Sequence, residues 1–253
     1  MFSQGVAMIA SETGVFGREA KDILIADIAL SIGFSLALTG GIFYVSGGGF
    51  LYLLPIAFVA VSLAFILHEL MHKFVAQRFG AIAGFRKSDN GIVISLLTSA
   101  FGFIIGLPGA TVIYAPHFTR KEEGYVSLAG PLTNFVVFAF AFMLGSALFP
   151  GFAHTTSSVL FGGGSTAPVP YLELALSFVA FISIYLAFFN MLPIFPLDGS
   201  KVYRWNKPVF FATIIIIFAL LGVITPILAL LPWLALIFII AFVISRVYKA
   251  VLF

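Results

Sequence analysis

LYLLPIAFVAVSLAFILHELMHKFV, residues 51–75, runs without a charge from Leu51 to Leu67. A helix needs about 20 mostly apolar residues to cross the hydrocarbon core of a bilayer, so this stretch predicts a membrane-spanning helix. Near its end the same helix carries His68, Glu69 and His72. Ionisable side chains inside a membrane helix are unfavourable unless they pair, bind a metal or serve a reaction. The bland alternative is a polar helix end at the interface, where Lys73 and Arg78 already meet water.

The rest of the chain agrees with lipid as solvent. Of 253 residues, 61% are hydrophobic and 9% charged, where soluble domains hold roughly 45–50% and 25%; the mean hydropathy is +1.15. A soluble fold of this length could not hide so much apolar side chain. The formal charge of +3 comes from 13 bases against 10 acids with no dense basic tract, so nucleic acid is not an expected partner. Cysteine is absent, which excludes disulfides, thiolate metal sites and cysteine nucleophiles. Any metal must be held by His and carboxylate.

The expected fold is an all-α polytopic membrane protein with six transmembrane helices, at about 23–45, 51–75, 125–148, 171–192, 208–229 and 232–245. This threading puts all 13 Lys and Arg on one side. By the positive-inside rule that side is the cytoplasm, with both termini on it, in a multi-pass protein of the cell membrane. Were the apolar stretch 91–116 also a crossing, every basic residue from Arg120 onward would change sides. It is therefore expected to enter and leave on the cytoplasmic face as a re-entrant, membrane-embedded strand or hairpin. Its Gly91, Gly102, Gly106, Pro108, Gly109 and Pro116, with the runs Ile92-Val93-Ile94 and Thr111-Val112-Ile113, suit strands better than one helix. Non-helical backbone at that depth must lie against protein or a watery cavity. The N-terminal residues lack a cleavage signature and are not expected to be a signal peptide. The whole chain, 1–253, reads as one membrane-embedded domain, with a core over about 20–200, two additional C-terminal helices over about 208–245 and no separate soluble domain.

His68-Glu69-Leu70-Met71-His72 sets two imidazoles one helical turn apart, with about 5–6 Å between Cβ atoms. Both can reach one zinc, and Glu69 beside them can act as general base on water without being a ligand. Zinc needs a third protein ligand, and a carboxylate is the natural candidate. Asp198 follows Asn190-Met191-Leu192-Pro193-Ile194-Phe195-Pro196-Leu197 at the expected cytoplasmic end of the fourth helix, on the side of His68 and His72. Pro193 and Pro196 break the helix and Gly199 permits a tight turn. These residues alone leave metal ligand and solvated Asp-Gly turn equally open for Asp198. His117 could line an access route, although a loop histidine is more often solvated; His154 lies in the opposite loop. Asp27 and Glu173 are placed near helix starts, where acids suit the helix dipole.

The chain resembles the site-2 proteases, intramembrane zinc metalloproteases of peptidase family M50. Three segments carry the likeness: His68 to His72 with Ala76 and Gly80, then Ala129-Gly130-Pro131-Leu132-Thr133-Asn134, then Asn190 through Gly199. Met71 stands where the family usually has Gly, and Pro196 falls one place late. The likeness implies one Zn2+ per chain held by His68, His72 and Asp198. It also implies Glu69 as catalytic base, and Asn190 on the substrate backbone or the developing oxyanion. The substrate would be a transmembrane protein cleaved in or near its membrane segment, the setting of regulated intramembrane proteolysis. A helical substrate must unwind first, and the edge of 91–116 could pair with it, at Gly106, Leu107, Pro108, Gly109, Ala110 and Thr111.

Three rivals share parts of this pattern. A divalent metal transporter using the His/Glu cluster would need polar residues on several facing helices or paired broken repeats, and most predicted crossings hold no ionisable group. A haem cytochrome is excluded because His68 and His72 on one helical face cannot ligate opposite faces of one iron. A zinc protease acting on prenylated tails would differ in substrate alone.

Overall fold

The computed structural model describes residues 15–115, 117–161 and 169–224. Helix α1, Val15–Leu38, leads through a short 3-10 turn at Ile42–Gly47 into α2, Gly49–Val61. A single π turn, Ser62–Ile66, joins α2 to α3, Leu67–Arg78, so that Gly49–Arg78 forms one continuous helical span. Then follow strand β1, Ile82–Lys87; α4, Asp89–Ala100; β2, Gly109–Tyr114; α5, Arg120–Leu148; α6, Phe152–Phe161; α7, Tyr171–Asn190; α8, Asp198–Trp205; and α9, Lys207–Ile224.

Four of these helical spans are long and apolar enough to cross a membrane: Gly49–Arg78, Arg120–Leu148, Tyr171–Asn190 and Lys207–Ile224. They contain the expected second and third crossings, and overlap the fourth up to Asn190 and the fifth up to Ile224, where the described residues end. The expected first crossing, 23–45, overlaps α1 only up to Leu38 and runs on into the 3-10 turn; the stretch of α1 from Lys21 to Leu38 still carries Lys21, Asp22 and Asp27 and is less uniformly apolar. The sixth, at 232–245, lies outside the described residues.

Helix α7 is the hub. Within its apolar window 78% of residues are buried, against 28% in α9, which sits at the periphery. Where lipid surrounds the bundle, the hydrophobic effect cannot drive one helix onto another, and close backbone approach through small residues takes over. Ala26 of α1, Ala57, Ala60 and Ala64 of the second span, and Ala180 and Ala187 of α7 are all fully buried. Large exposed side chains such as Phe140, Met143, Phe211 and Ile215 lie on the outer faces of α5 and α9, as a lipid-facing surface requires.

The first ten residues of the stretch 91–116 are helical, as part of α4, which corrects the expectation of a strand or hairpin there. Ser88 caps α4 by accepting from the Gly91 N–H, and Asp89 stands in the first turn. These start signals outweigh the β-branched run Ile92-Val93-Ile94. The sequence-level strand at Thr111-Val112-Ile113 does form, but its partner is Ile82–Lys87 and not a neighbour within 91–116. The two strands pair antiparallel with Phe85 opposite Thr111 and Lys87 opposite Gly109. The connection into β2 has no regular structure, and side chains satisfy its backbone: Ser95 Oγ donates to Ile105 O at 2.8 Å and accepts from Leu107 N at 3.2 Å. Thr98 Oγ1 accepts from Ile105 N at 3.0 Å, and the Tyr185 hydroxyl of α7 donates to Ile104 O at 2.5 Å.

Two smaller expectations also change. His154, expected in a loop, lies instead within α6. Asp27 is mid-helix, because α1 begins at Val15; it is 1% exposed and accepts from Ser62 Oγ of the π turn at 2.8 Å. Glu173 does stand in the first turn of α7.

Candidate active site

Three elements converge on one cavity of roughly 310 Å³. Helix α3 turns His68, Glu69 and His72 inward, all buried. The π turn just before them is the kind of local helix defect that marks functional sites.

Asp198 comes from a different direction. Helix α7 ends at Asn190, the chain folds back through 191–197, and α8 opens at Asp198. Gly199 makes that fold-back possible, since a Cβ there would lie 2.2 Å from the Met191 carbonyl oxygen. The path through Pro196 therefore delivers Asp198 to the imidazole pair: its Oδ2 lies 3.0 Å from His72 Nε2 and 3.4 Å from His68 Nε2. The two Nε2 atoms are 2.9 Å apart. Lys201, one turn along α8, is 3.9 Å from the other carboxylate oxygen.

This donor triangle fits zinc. Bonds of about 2.0–2.1 Å in tetrahedral geometry set ligand atoms about 3.3 Å apart, close to the three separations observed. Two imidazole nitrogens facing each other this closely repel unless a proton or cation lies between them. Burial opposes charge on Asp198, yet the adjacent His72 and His68 hold its carboxyl below the ordinary carboxylate range. Among the described residues this is the one His/Asp/Glu group able to hold a metal.

Helix α5 supplies what surrounds the triangle. A Cβ at Gly130 would lie 2.4 Å from His72 Nε2 and 2.6 Å from His68 Nε2, so glycine keeps that space open. Pro131, inside the helix, has no N–H for the Ser127 carbonyl four residues back, and Ser127 lines the cavity. The His72 Nδ1–H donates to Val126 O at 2.7 Å, which leaves the Nε2 lone pair free to bind. Asn134 is wholly buried, its Nδ2 3.1 Å from His68 Nδ1 and its Oδ1 without a partner. An amide can present either atom. With Oδ1 accepting from His68 Nδ1–H, the orphan oxygen is satisfied and His68 too offers its Nε2 lone pair.

The other sequence-level candidates divide. Asn190 lines the cavity and uses one N–H on Leu186 O at 3.0 Å, which leaves the second free to donate. Gly106 to Thr111 all line the cavity, but β2 begins only at Gly109. Leu107 N is held by Ser95, and Pro108 O accepts from Ser88 N at 2.8 Å, so the predicted strand edge shifts to 109–114. His117 is exposed and does not line the cavity. The roles of Val126, Gly130 and Asn134 around the imidazoles, and of Thr111 beside Glu69, had no signal in one sequence beyond the Ala-Gly-Pro segment itself.

The family model for peptidase family M50 matches residues 56–206, which span every element of this site. The chain belongs to peptidase family M50. Among curated relatives, "Putative zinc metalloprotease MJ0611" of Methanocaldococcus jannaschii is 36% identical over 191 residues, 75% of this chain and 85% of that protein. "Putative zinc metalloprotease YwhC" of Bacillus subtilis is 26% identical over 162 residues, 60% of this chain and 69% of that protein. No solved structure gives a significant match. The M50 assignment makes this a membrane metalloprotease family member, and the donor set of His68, His72 and Asp198 agrees with the metal in its relatives' names.

Proposed function

We propose that the protein is an intramembrane zinc endopeptidase that hydrolyses peptide bonds in or near transmembrane segments of membrane proteins. The observation that carries this reading is the convergence of His68, His72 and Asp198 within 4.8 Å of one another, at one end of a helix long enough to span a bilayer. A zinc held by these three residues would supply Lewis acidity, lowering the pKa of a water and polarising the scissile carbonyl. Glu69 takes the proton from the attacking water and returns it to the leaving amine. Asn190 offers its spare N–H to the substrate backbone or the developing oxyanion.

The β-sheet supports a role in gripping the substrate. Phe85 N donates to Glu19 Oε1 at 3.2 Å, so its N–H points away from β2. In an antiparallel ladder the residue opposite then also points its N–H and C=O outward. Thr111, with Gly109 and Ile113 two residues to either side, therefore forms the free edge of β2. An unwound substrate strand could pair there without its side chains being read. The cell membrane as location, cytoplasmic termini and entry of water from the cytoplasm complete the reading. A divalent metal transporter is less well supported, since the described residues hold one metal-capable cluster and no second station along a path.

The test is cleavage of a single-span membrane protein by the purified chain in detergent. Glu69→Gln is expected to keep its zinc and lose cleavage by at least about a hundredfold, the usual contribution of a general base, and chelator should abolish the parent's activity. Unchanged cleavage in either arm would remove the metal-and-base mechanism.

A further inference from the structure

Glu69 is buried beside the metal ligands, and its carboxylate has a partner on β2. Thr111 Oγ1 lies 2.8 Å from Glu69 Oε2 and 3.3 Å from the Glu69 main-chain oxygen. The Thr111 hydroxyl donates and the Glu69 oxygens accept. We infer that Thr111 is a positioning residue for Glu69, whose hydroxyl fixes the carboxylate while its main chain stands on the strand edge open to substrate.

The inference rests on the protease reading above and extends it. Fixing Oε2 by a hydrogen bond leaves the lone pairs of Oε1 to accept the proton from water. A charge-assisted hydrogen bond to a buried carboxylate is among the stronger and more directional ones. The same residue has its N–H and C=O on the outer edge of β2, as the pairing of Phe85 with Thr111 and the Glu19–Phe85 hydrogen bond dictate. A substrate strand paired at that edge would restrict the Thr111 backbone, and with it the side chain that orients the base. Docking of the unwound peptide and alignment of the base would then be one event. Geometric misplacement of a catalytic group by about 1 Å can lower a rate about a hundredfold, so such coupling would favour turnover of substrates that form the strand.

Valine replaces the hydroxyl by a methyl at nearly constant shape and keeps the β-branch suited to a strand. Serine keeps the hydroxyl and drops the methyl. With a single-span membrane protein as substrate, Thr111→Val is expected to lower kcat about tenfold or more, with KM within about twofold and zinc per chain unchanged. Thr111→Ser should recover kcat to within about threefold of the parent. Parent-like kcat in Thr111→Val, while Glu69→Gln is inactive, would overturn the inference and leave the protease reading standing. So would a serine variant as impaired as the valine one, which points to packing of the methyl, or loss of zinc in the valine variant, which points to the metal site. A valine effect confined to KM would make Thr111 a substrate contact and likewise overturn it. Cleavage that survives Glu69→Gln would instead sink the underlying protease reading, and Thr111 with it.

Discussion

At the scale of single residues, the proposed metal site has groups placed to hold its candidate ligands as well as the candidate ligands themselves. Asn134 and the Val126 carbonyl set the two imidazole tautomers from the far side. Partners of metal-bound histidines typically contribute 10–100-fold to metal affinity. Asn134→Ala is therefore expected to weaken zinc binding by about that factor, read by competition with a chromophoric chelator; parent-like affinity would deny Asn134 this role. Gly130→Ala is a sharper test of shape, because the added methyl would stand 2.4 Å from His72 Nε2. The protein should fold and lose its zinc. The motif His68 to His72 was legible in the sequence because its chemistry is local, one helical turn. Asp198 was legible only as one of two readings, because the 125 residues between His72 and Asp198 hide the approach of α8 to α3 and no local pattern reports a long-range distance.

At the scale of elements, helix and strand were told apart correctly where length and apolar run agreed, as in Gly49–Arg78 and Tyr171–Asn190. They were confused at α4. A run of Ile and Val suggested strand there, while Ser88 and Asp89 provided a helix start that tertiary contacts with α1 then stabilise. Strand β1 went unnoticed because Ile82–Lys87 is short and includes Gly84, Arg86 and Lys87, without the alternation that marks a half-buried strand. The free edge of β2 gives a test that separates pairing from folding. Ile113 N–H points outward and makes no ladder bond to β1, so proline is tolerable there as at other edges. Ile113→Pro is expected to raise KM about tenfold with zinc retained and the protein monodisperse. An unchanged KM would show that substrate does not pair along β2.

At the scale of the whole molecule, the bundle places a metal-capable cavity of mixed polar and apolar lining inside a protein with large apolar side chains on its outer helix faces. The small-residue seams between α1, the second span and α7 are what bring the helices close enough. The sidedness of the basic residues predicts orientation. Because the chain has no cysteine, single cysteines can be introduced without background. Cysteine at Lys87 or Lys207 should be shielded from an impermeant maleimide in sealed cells, and cysteine at Gly49 should label; the reverse pattern would invert the topology. The central claim, though, is that ligands from α3 and α8 hold one metal. The most direct measurement is the zinc content and zinc affinity of the purified parent beside Asp198→Ala. The account predicts one zinc per parent chain, and an affinity lowered by more than about a hundredfold in the variant, beyond what loss of an outer partner would cause. Stoichiometric zinc bound by Asp198→Ala as tightly as by the parent would contradict it.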